Sequence, residues 1–318
     1  MRNFFIYIFI FLNLLSSQEE ICVGTIEDSL INCLQNNYTT SYTQGYTNAR
    51  NILYGLIDNN NGYISCIYTN YSGYLPPNTG TGNIISTLYD EGITCEHLWP
   101  QSLGAGSGNP RSDMHHLRPC KDNVNSARSN KPFAEVNDYV TDTWYWLEYS
   151  SNSIPSNNIN EYSESTSNAF EPREDVKGDI ARAMFYFYTI YQDVADDIFF
   201  NEQKDNLYQW HLDDPATVSE INRTEAIAVY QDNIPNPFIL DATLIYRAYF
   251  YEEDNNQGTV GDVTQDGLIN VVDVVLIVNY VLNTQSLNDT QIEIADINTD
   301  GIINIIDIVA LVSIIIGD

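Results

Sequence analysis

The feature that most limits how this chain can fold is a repeat near its end. Gly261-Asp262-Val263-Thr264-Gln265-Asp266-Gly267-Leu268-Ile269-Asn270-Val271-Val272-Asp273 is matched position for position by Ala295-Asp296-Ile297-Asn298-Thr299-Asp300-Gly301-Ile302-Ile303-Asn304-Ile305-Ile306-Asp307. In each copy, oxygen-bearing side chains stand at positions 1, 3, 5, 9 and 12 of a loop and a main-chain carbonyl falls at 7. Glycine stands at 6, where the chain must turn through a conformation costly for other residues. The first loop offers Asp262, Thr264, Asp266, the Leu268 carbonyl, Asn270 and Asp273; the second offers Asp296, Asn298, Asp300, the Ile302 carbonyl, Asn304 and Asp307. Hard oxygen donors in this number suit Ca²⁺ better than Mg²⁺, which demands a tighter octahedron. One such loop could be an acidic surface turn; two in register predict two structural Ca²⁺ ions. Each loop runs into a segment, 271–282 and 305–316, that is apolar nearly all round. Two helices can bury only one side of each against one another, so the surplus face should meet a partner, the rest of the chain or a surface anchor.

Aspartate rather than glutamate at position 12, together with the paired short loops, resembles a type I dockerin over residues 258–318. The resemblance implies a calcium-folded, all-α interaction module that docks onto a cohesin-like domain of another protein. Val271-Val272 and Ile305-Ile306 stand where dockerins often carry hydroxyl or polar recognition residues.

Upstream, composition narrows the function. Thirteen basic against 43 acidic side chains give a formal charge of -30, which excludes a general polyanion binder and requires any contact with nucleic acid to be local. Arg111, Arg118, Lys121, Arg128 and Lys131 form such a local group, beside His97, His115 and His116. Met1-Arg2-Asn3, the apolar run 4–15 and Ser16-Ser17-Gln18 have the layout of a secretory signal, predicted over residues 1–18, with an uncleaved anchor as the alternative. The run is too short to span a bilayer. A secreted or cell-surface protein meets an oxidising compartment, and the five cysteines all lie in the first 120 residues, so disulfides are expected there. Cys22 with Cys33 and Cys66 with Cys95 are the expected pairs, leaving Cys120 over.

The 318 residues suffice for two domains, expected at 19–255 and 258–318 with a polar boundary at 254–258. Helical patterns are read at 46–57, 135–150 and 176–195; in the last, Val176, Ile180, Met184 and Phe187 recur on one face. Residues 63–68 alternate like a strand, 78–83 break the pattern, and 151–167 read as a Ser/Asn-rich loop. Trp99, Trp144, Trp146 and Trp210 are expected in the core, His211 as a structural histidine at a helix end, and Arg182 as the partner of an interior carboxylate. Gly104-Ala105-Gly106-Ser107-Gly108 lacks the lysine of a phosphate loop and reads as a tight turn.

Glu96, His97 and Asn125 carry the chemistry. A neutral imidazole can take a proton from water, and a carboxylate with a carboxamide oxygen can hold a hard divalent ion while leaving room for water and phosphate. Those are the parts for phosphodiester hydrolysis. Adjacent strand residues point to opposite faces, so Glu96 and His97 share a site only where the strand ends or bulges, and Pro100 suits an ending strand. A helix over 122–131 would set Asn125, Arg128 and Ser129 on one face, a metal ligand beside a phosphate clamp.

Around these residues, Glu96-His97-x-x-Pro100-Gln101-Ser102, Arg111-Ser112-Asp113-Met114-His115-x-Leu117-x-Pro119, Asn125-x-x-Arg128-Ser129-Asn130 and Pro132-Phe133 resemble the ββα-metal (His-Me) finger of the endonuclease I family. Glu171-Pro172-Arg173, Lys177-Gly178-Asp179-Ile180-Ala181-Arg182, Trp210-His211-x-x-Asp214-Pro215 and Asn236-Pro237-Phe238 are similar to its downstream helices. The resemblance spans about residues 40–242 and implies an α+β fold, a finger core wrapped by helices. It further implies His97 as the general base, one Mg²⁺ on Glu96 and Asn125, and products with 5′-phosphate and 3′-hydroxyl ends. An arginine should neutralise the charge on phosphorus, Arg111 first and Arg128 second, while Asp113 and His115 support the finger through hydrogen bonds. DNA is the implied substrate, with RNA left open and no marked sequence preference.

Two rivals stand beside this reading. Cys95, His97, His115, His116 and Cys120 are zinc-type ligands close in sequence, though not at the spacings of a known zinc site. A non-catalytic matrix or adhesion protein assembled through the calcium module is the other.

Overall fold

The computed structural model describes residues 20–251 and 259–316, so the predicted signal at 1–18 and the boundary at 254–258 lie outside the described residues. The first stretch is a mixed body. Helix α1 (Glu27–Tyr38) is followed by α2 (Tyr46–Ile52), which continues as a π-helical turn over Leu53–Ile57, so the helix expected at 46–57 forms with a changed last turn. Strands β1 (Asn59–Asn60), β2 (Tyr63–Ser65) and β3 (Ser72–Tyr74) make a small antiparallel sheet. Only three residues of the strand-like stretch 63–68 pair, because the chain turns at Cys66, whose carbonyl accepts from the Asn70 N–H.

Helix α3 (Ile84–Asp90) leads into β4 (Ile93–His97), which pairs antiparallel with β5 (Leu117–Lys121), setting Glu96 opposite Arg118 and His97 opposite Leu117. The connection between them carries the short helix α4 (Gly108–Ser112), and α5 (Asp122–Arg128) follows β5 directly and packs on both strands. Gly104 allows this connection to pass the turn at Val194: its φ is 135°, and a Cβ there would lie 2.6 Å from the Val194 carbonyl oxygen.

Residues 135–150 are not a helix. They form a short 3₁₀ turn and then the hairpin β6 (Thr143–Trp146) and β7 (Tyr149–Ser151). Thr, Trp and Tyr in succession favour the pleated conformation, and alternation along β6 buries Trp144 completely while its neighbours stay half exposed. The expected loop 151–167 contains β8 (Ser163–Ser165), which pairs with β6 and with β9 (Phe170–Glu171). Its polar residues survive burial because each finds a partner: the Ser163 hydroxyl donates to the Tyr68 carbonyl at 2.7 Å, and Glu164 accepts from Thr141.

The rest of the body is helical: α6 (Lys177–Ile190), α7 (Asp197–Asp213), α8 (Val218–Ala228), α9 (Pro237–Leu240) and α10 (Leu244–Tyr249). Asp196, Thr217 and Asn236 cap α7, α8 and α9 by accepting from Phe199, Glu220 and Phe238 N–H groups. Helix α6 is buried on nearly every side rather than along one face, and forms the centre of the core. Gly178 sits where α6 meets the end of α7; a Cβ would lie 1.9 Å from the Asp214 carbonyl oxygen. Arg182, fully buried, pairs with Glu220 at 2.6 Å, and His211, in the last turn of α7, sits 3.0 Å from the Ala242 carbonyl. Trp99, Trp144 and Trp210 are buried; Trp146 is only half buried, against Tyr162.

Cys22 and Cys33 form a disulfide. The expected pairing of Cys66 with Cys95 does not occur: the turn after β2 packs on β5, where the Ile67 N–H donates to the Pro119 carbonyl, and brings the Cys66 sulfur 3.7 Å from that of Cys120. Cys95 faces the other side of its strand, toward Tyr54 and Tyr46.

Residues 259–316 form three helices, α11 (Val271–Val281), α12 (Asp289–Ala295) and α13 (Ile305–Ile316), with α11 packed on α13. Their core is small: Val263, Ile277, Leu287, Ala295 and Leu311. Val271, Val272 and Val275 of α11 and the matching Ile305, Ile306 and Val309 of α13 are all exposed. No helix among the described residues is long and apolar enough to cross a membrane.

Candidate active site and calcium loops

Strand β4 ends at His97, and this ending lets two successive side chains serve one place. Cys95, Glu96, His97, Gln101, Asn125 and Ser129 line a pocket of about 510 Å³, together with Pro100, Ser102 and Asn130. The three residues singled out for chemistry therefore meet, Glu96 and His97 from β4 and Asn125 from α5.

The two ring nitrogens of His97 are distinct. Nε2 lies 3.0 Å from the Arg111 carbonyl, an acceptor only, so Nε2 carries the proton. Nδ1 is left with its lone pair, 3.4 Å from the Gln101 amide in the pocket. Burial, with the neighbouring His116 ring, lowers the His97 pKa to about 3, so the ring is neutral at ordinary pH.

Glu96 is 3 % exposed. One oxygen, Oε1, accepts from the Tyr68 hydroxyl at 2.7 Å and faces the Arg128 guanidinium at 3.2 Å. Burial pushes its pKa up to about 7 even against the opposing pull of Arg128 and Tyr68. Nδ2 of Asn125 donates to Thr94 Oγ1 at 2.9 Å and to the Cys95 carbonyl at 3.3 Å, which turns its Oδ1 away from the strand. A carboxylate and a carboxamide oxygen line the same pocket, a donor set that fits a hard divalent cation.

Neither candidate arginine lines the pocket. Arg128, expected on the face of Asn125 and Ser129, is fully buried beneath Glu96, where it donates to the His97 and Leu98 carbonyls at 3.1 and 2.5 Å. Of that expected face only Asn125 and Ser129 reach the pocket: Ser129 is the residue just past the end of α5, and the Arg128 side chain turns inward under the strand end. Arg111 lies over the Tyr46 ring at 4.8 Å, with Arg50 over the same ring at 4.2 Å, and Tyr46 is 5.0 Å from the His97 ring. Tyr68 and Tyr46 are functional neighbours that no local sequence signal marks.

Asp113 is fully buried and accepts from the hydroxyls of Tyr186 and Tyr191 at 2.8 and 2.7 Å and from Gln231 at 2.9 Å. Burial alone would raise its pKa, yet His115, His116 and these donors bring it below the usual carboxylate value. His115 spans the Ile234 carbonyl and Thr224, and His116 lies 2.6 Å from the Pro110 carbonyl. The zinc-type ligands are thus dispersed, and among the described residues no three such groups converge on one point.

The two C-terminal loops share one hydrogen-bond scaffold. Asp262 accepts from the Gly267 N–H at 2.9 Å, and Asp296 from Gly301 at 2.7 Å. Asp273 and Asp307, both fully buried, accept from the N–H groups of Asn270 and Asn304 at 2.9 and 2.8 Å. Burial and the Asp262 and Asp273 carboxylates push Asp266 up to about 6. Carboxylates that raise one another's pKa suit a cation between them, which would draw on the carbonyl, amide and hydroxyl oxygens of the loop as well.

A family model described as Endonuclease I matches residues 24–243, and one described as Dockerin type I domain matches residues 260–315. Among curated relatives, a protein named Extracellular ribonuclease from Bacillus subtilis (strain 168) is 32 % identical over 164 residues, covering 45 % of this chain and 49 % of that protein. A second Extracellular ribonuclease, from Bacillus amyloliquefaciens, is 31 % identical over 164 residues, with the same coverage. The chain spans about half the length of the curated relatives it matches.

Proposed function

Since this chain belongs to the endonuclease I family and carries a type I dockerin domain, we propose that it is a secreted, metal-dependent endonuclease that cleaves DNA and RNA. The observation that carries the reading is the meeting of Glu96, His97 and Asn125 in one pocket, with the His97 proton held on Nε2. Residues 93–128, two antiparallel strands and a helix, are on this reading the ββα-metal finger. The names of the Bacillus relatives support RNA among the substrates.

In this mechanism His97 Nδ1 accepts a proton from water as its oxygen bonds to phosphorus, opposite the departing 3′ oxygen. Breaking the bond to that oxygen leaves a 5′-phosphate on one fragment and, once protonated, a 3′-hydroxyl on the other. Glu96 and Asn125 would hold one Mg²⁺, which when bound supplies positive charge to the phosphate and the leaving oxygen. Arg111 is assigned to the charge developing on phosphorus, because burial beneath Glu96 gives Arg128 a positioning role instead. Asp113 and His115 hold the connection between β4 and β5 against α6 and α8.

Residues 1–18 are read as the signal, 19–255 as the nuclease domain and 258–318 as the module, with one Ca²⁺ in each loop. The exposed apolar residues on α11 and α13 would dock a cohesin-like domain or a surface-anchoring protein.

A plasmid-nicking assay with Mg²⁺, against EDTA, tests the reading. His97→Ala should lower the rate by about 10²- to 10⁴-fold with an unchanged fold. Undiminished nicking in that variant would sink the assignment, and a wild type that leaves plasmid intact would favour the matrix or adhesion protein.

A further inference from the structure

Strand β5 borders a second pocket, of about 540 Å³, whose lining includes Arg118, Arg173 and Arg223. Three of the thirteen basic side chains of a chain with charge -30 meet there. Two of them are matched: Arg223 holds Asp58 through contacts of 2.7 and 3.0 Å, and Arg173 is tied to Asp175 and the Ile67 carbonyl. Arg118 is not. It is 5 % exposed, and its Nη1 is buried with no acceptor among the described residues. A guanidinium so far out of water with one donor left unmatched is unfavourable, and an anion that reaches its remaining N–H groups from the pocket would offset that cost. The remaining acid in the lining, Asp179, is already paired with Arg182 at 3.4 Å.

We propose that this pocket binds a phosphate oxyanion on Arg118, flanked by Arg173 and Arg223. A guanidinium presents paired N–H groups that match two oxygens of one phosphate, and the volume leaves room for a group attached to it. The anion could be inorganic phosphate or the terminal phosphate of a nucleic acid strand; the chemistry of recognition is the same. This site is separate from the pocket of Glu96, His97 and Asn125 and does not depend on cleavage.

The test is calorimetric titration of the full chain, without added Mg²⁺, with inorganic phosphate and with a dinucleotide in 5′-phosphorylated and 5′-hydroxyl forms. Saturable binding of one phosphate per chain is expected, weakened about tenfold or more by Arg118→Gln. Asn222→Asp, which adds a negative charge at an exposed position of the lining, should weaken it severalfold without touching a buried residue. A 5′-phosphorylated dinucleotide that binds more tightly than phosphate identifies a nucleic acid end as the source; binding of phosphate alone identifies the free ion. No saturable binding, or wild-type affinity in both variants, overturns the proposal.

Discussion

The candidate active site and the pair of C-terminal loops, all suited to a divalent cation, are built in opposite ways. Around Glu96 and His97 the hydrogen bonds reach far along the chain: Tyr68 to Glu96 spans 28 residues, Arg128 to the His97 carbonyl spans 31, and Gln231 to Asp113 spans 118. In the C-terminal loops, the bonds to the aspartates that shape each turn span nine residues or fewer, and longer ones, from Gln291 to the Val263 carbonyl and from the Gly261 N–H to the Ile294 carbonyl, stay within the module. The first arrangement is held by the folded body whether or not an ion is present. The second rests on its own aspartates and a five-residue core, so the ion and the fold should stand or fall together.

Calcium removal is the sharpest way to break this comparison. With EGTA, or with Asp262→Ala and Asp296→Ala combined, we expect residues 259–316 to lose their helical signal while nicking with Mg²⁺ continues. Loss of both together would show that the regions are not independent. A smaller effect is expected from Tyr68→Phe, which removes one donor to a buried carboxylate. Hydrogen bonds to charged groups contribute about 1.5–3 kcal/mol, so the nicking rate should drop about tenfold or more and the Mg²⁺ requirement should rise. An unchanged Mg²⁺ dependence would mean that Tyr68 does not orient Glu96.

Acid should test the body further. Burial lowers the His211 pKa to about 4, so the folded state holds the ring neutral while the unfolded chain takes up a proton below about 6.5. The stability contributed by the neutral ring is complete above about 6.5 and is lost as pH falls toward 4, amounting to about 2 kcal/mol at pH 5. Urea midpoints for the wild type and His211→Gln should give slopes between pH 6.5 and 4.5 that differ by about one proton; equal slopes would contradict a buried neutral ring. The smallest effect concerns Ser129 at the pocket, held at φ 53° and ψ -121°, a conformation that favours glycine. Ser129→Gly should raise stability by about 1 kcal/mol, read from the same midpoints, and a loss of stability would show that the hydroxyl matters more than the strain.

How much of this could be read in the sequence follows the same divide. In the loops the sequence named the oxygen-bearing positions and the glycine turn, and Gly267 and Gly301 do turn at φ 86° and 81°; which N–H each aspartate accepts from is seen in the structure. The exposed valines and isoleucines of α11 and α13 followed from helices too apolar to bury every side. In the body, the pattern named Glu96, His97 and Asn125, and helical spacing gave α5. It could not say that Arg128 would turn inward, since that depends on where the strand end lies above it. Nor could it find Tyr68, which lies 28 residues from its partner.

Local chemistry was thus decided by the sequence alone: the repeat and its calcium-type loops, a helix at α6, and Glu96, His97 and Asn125 in the candidate active site. Tertiary structure alone decided what depends on partners distant in the chain. It made a hairpin of 143–151, since aromatic residues there found a core to face, and it gave buried Ser163 and Glu164 the partners that let a polar segment become a strand. It set Cys66 against Cys120 rather than Cys95, because alternation along β4 turns Cys95 to the other face. It also gathered three arginines around one pocket while leaving Nη1 of Arg118 without an acceptor among the described residues. Burial and long-range pairing are properties of the packed chain, and spacing along the sequence does not carry them.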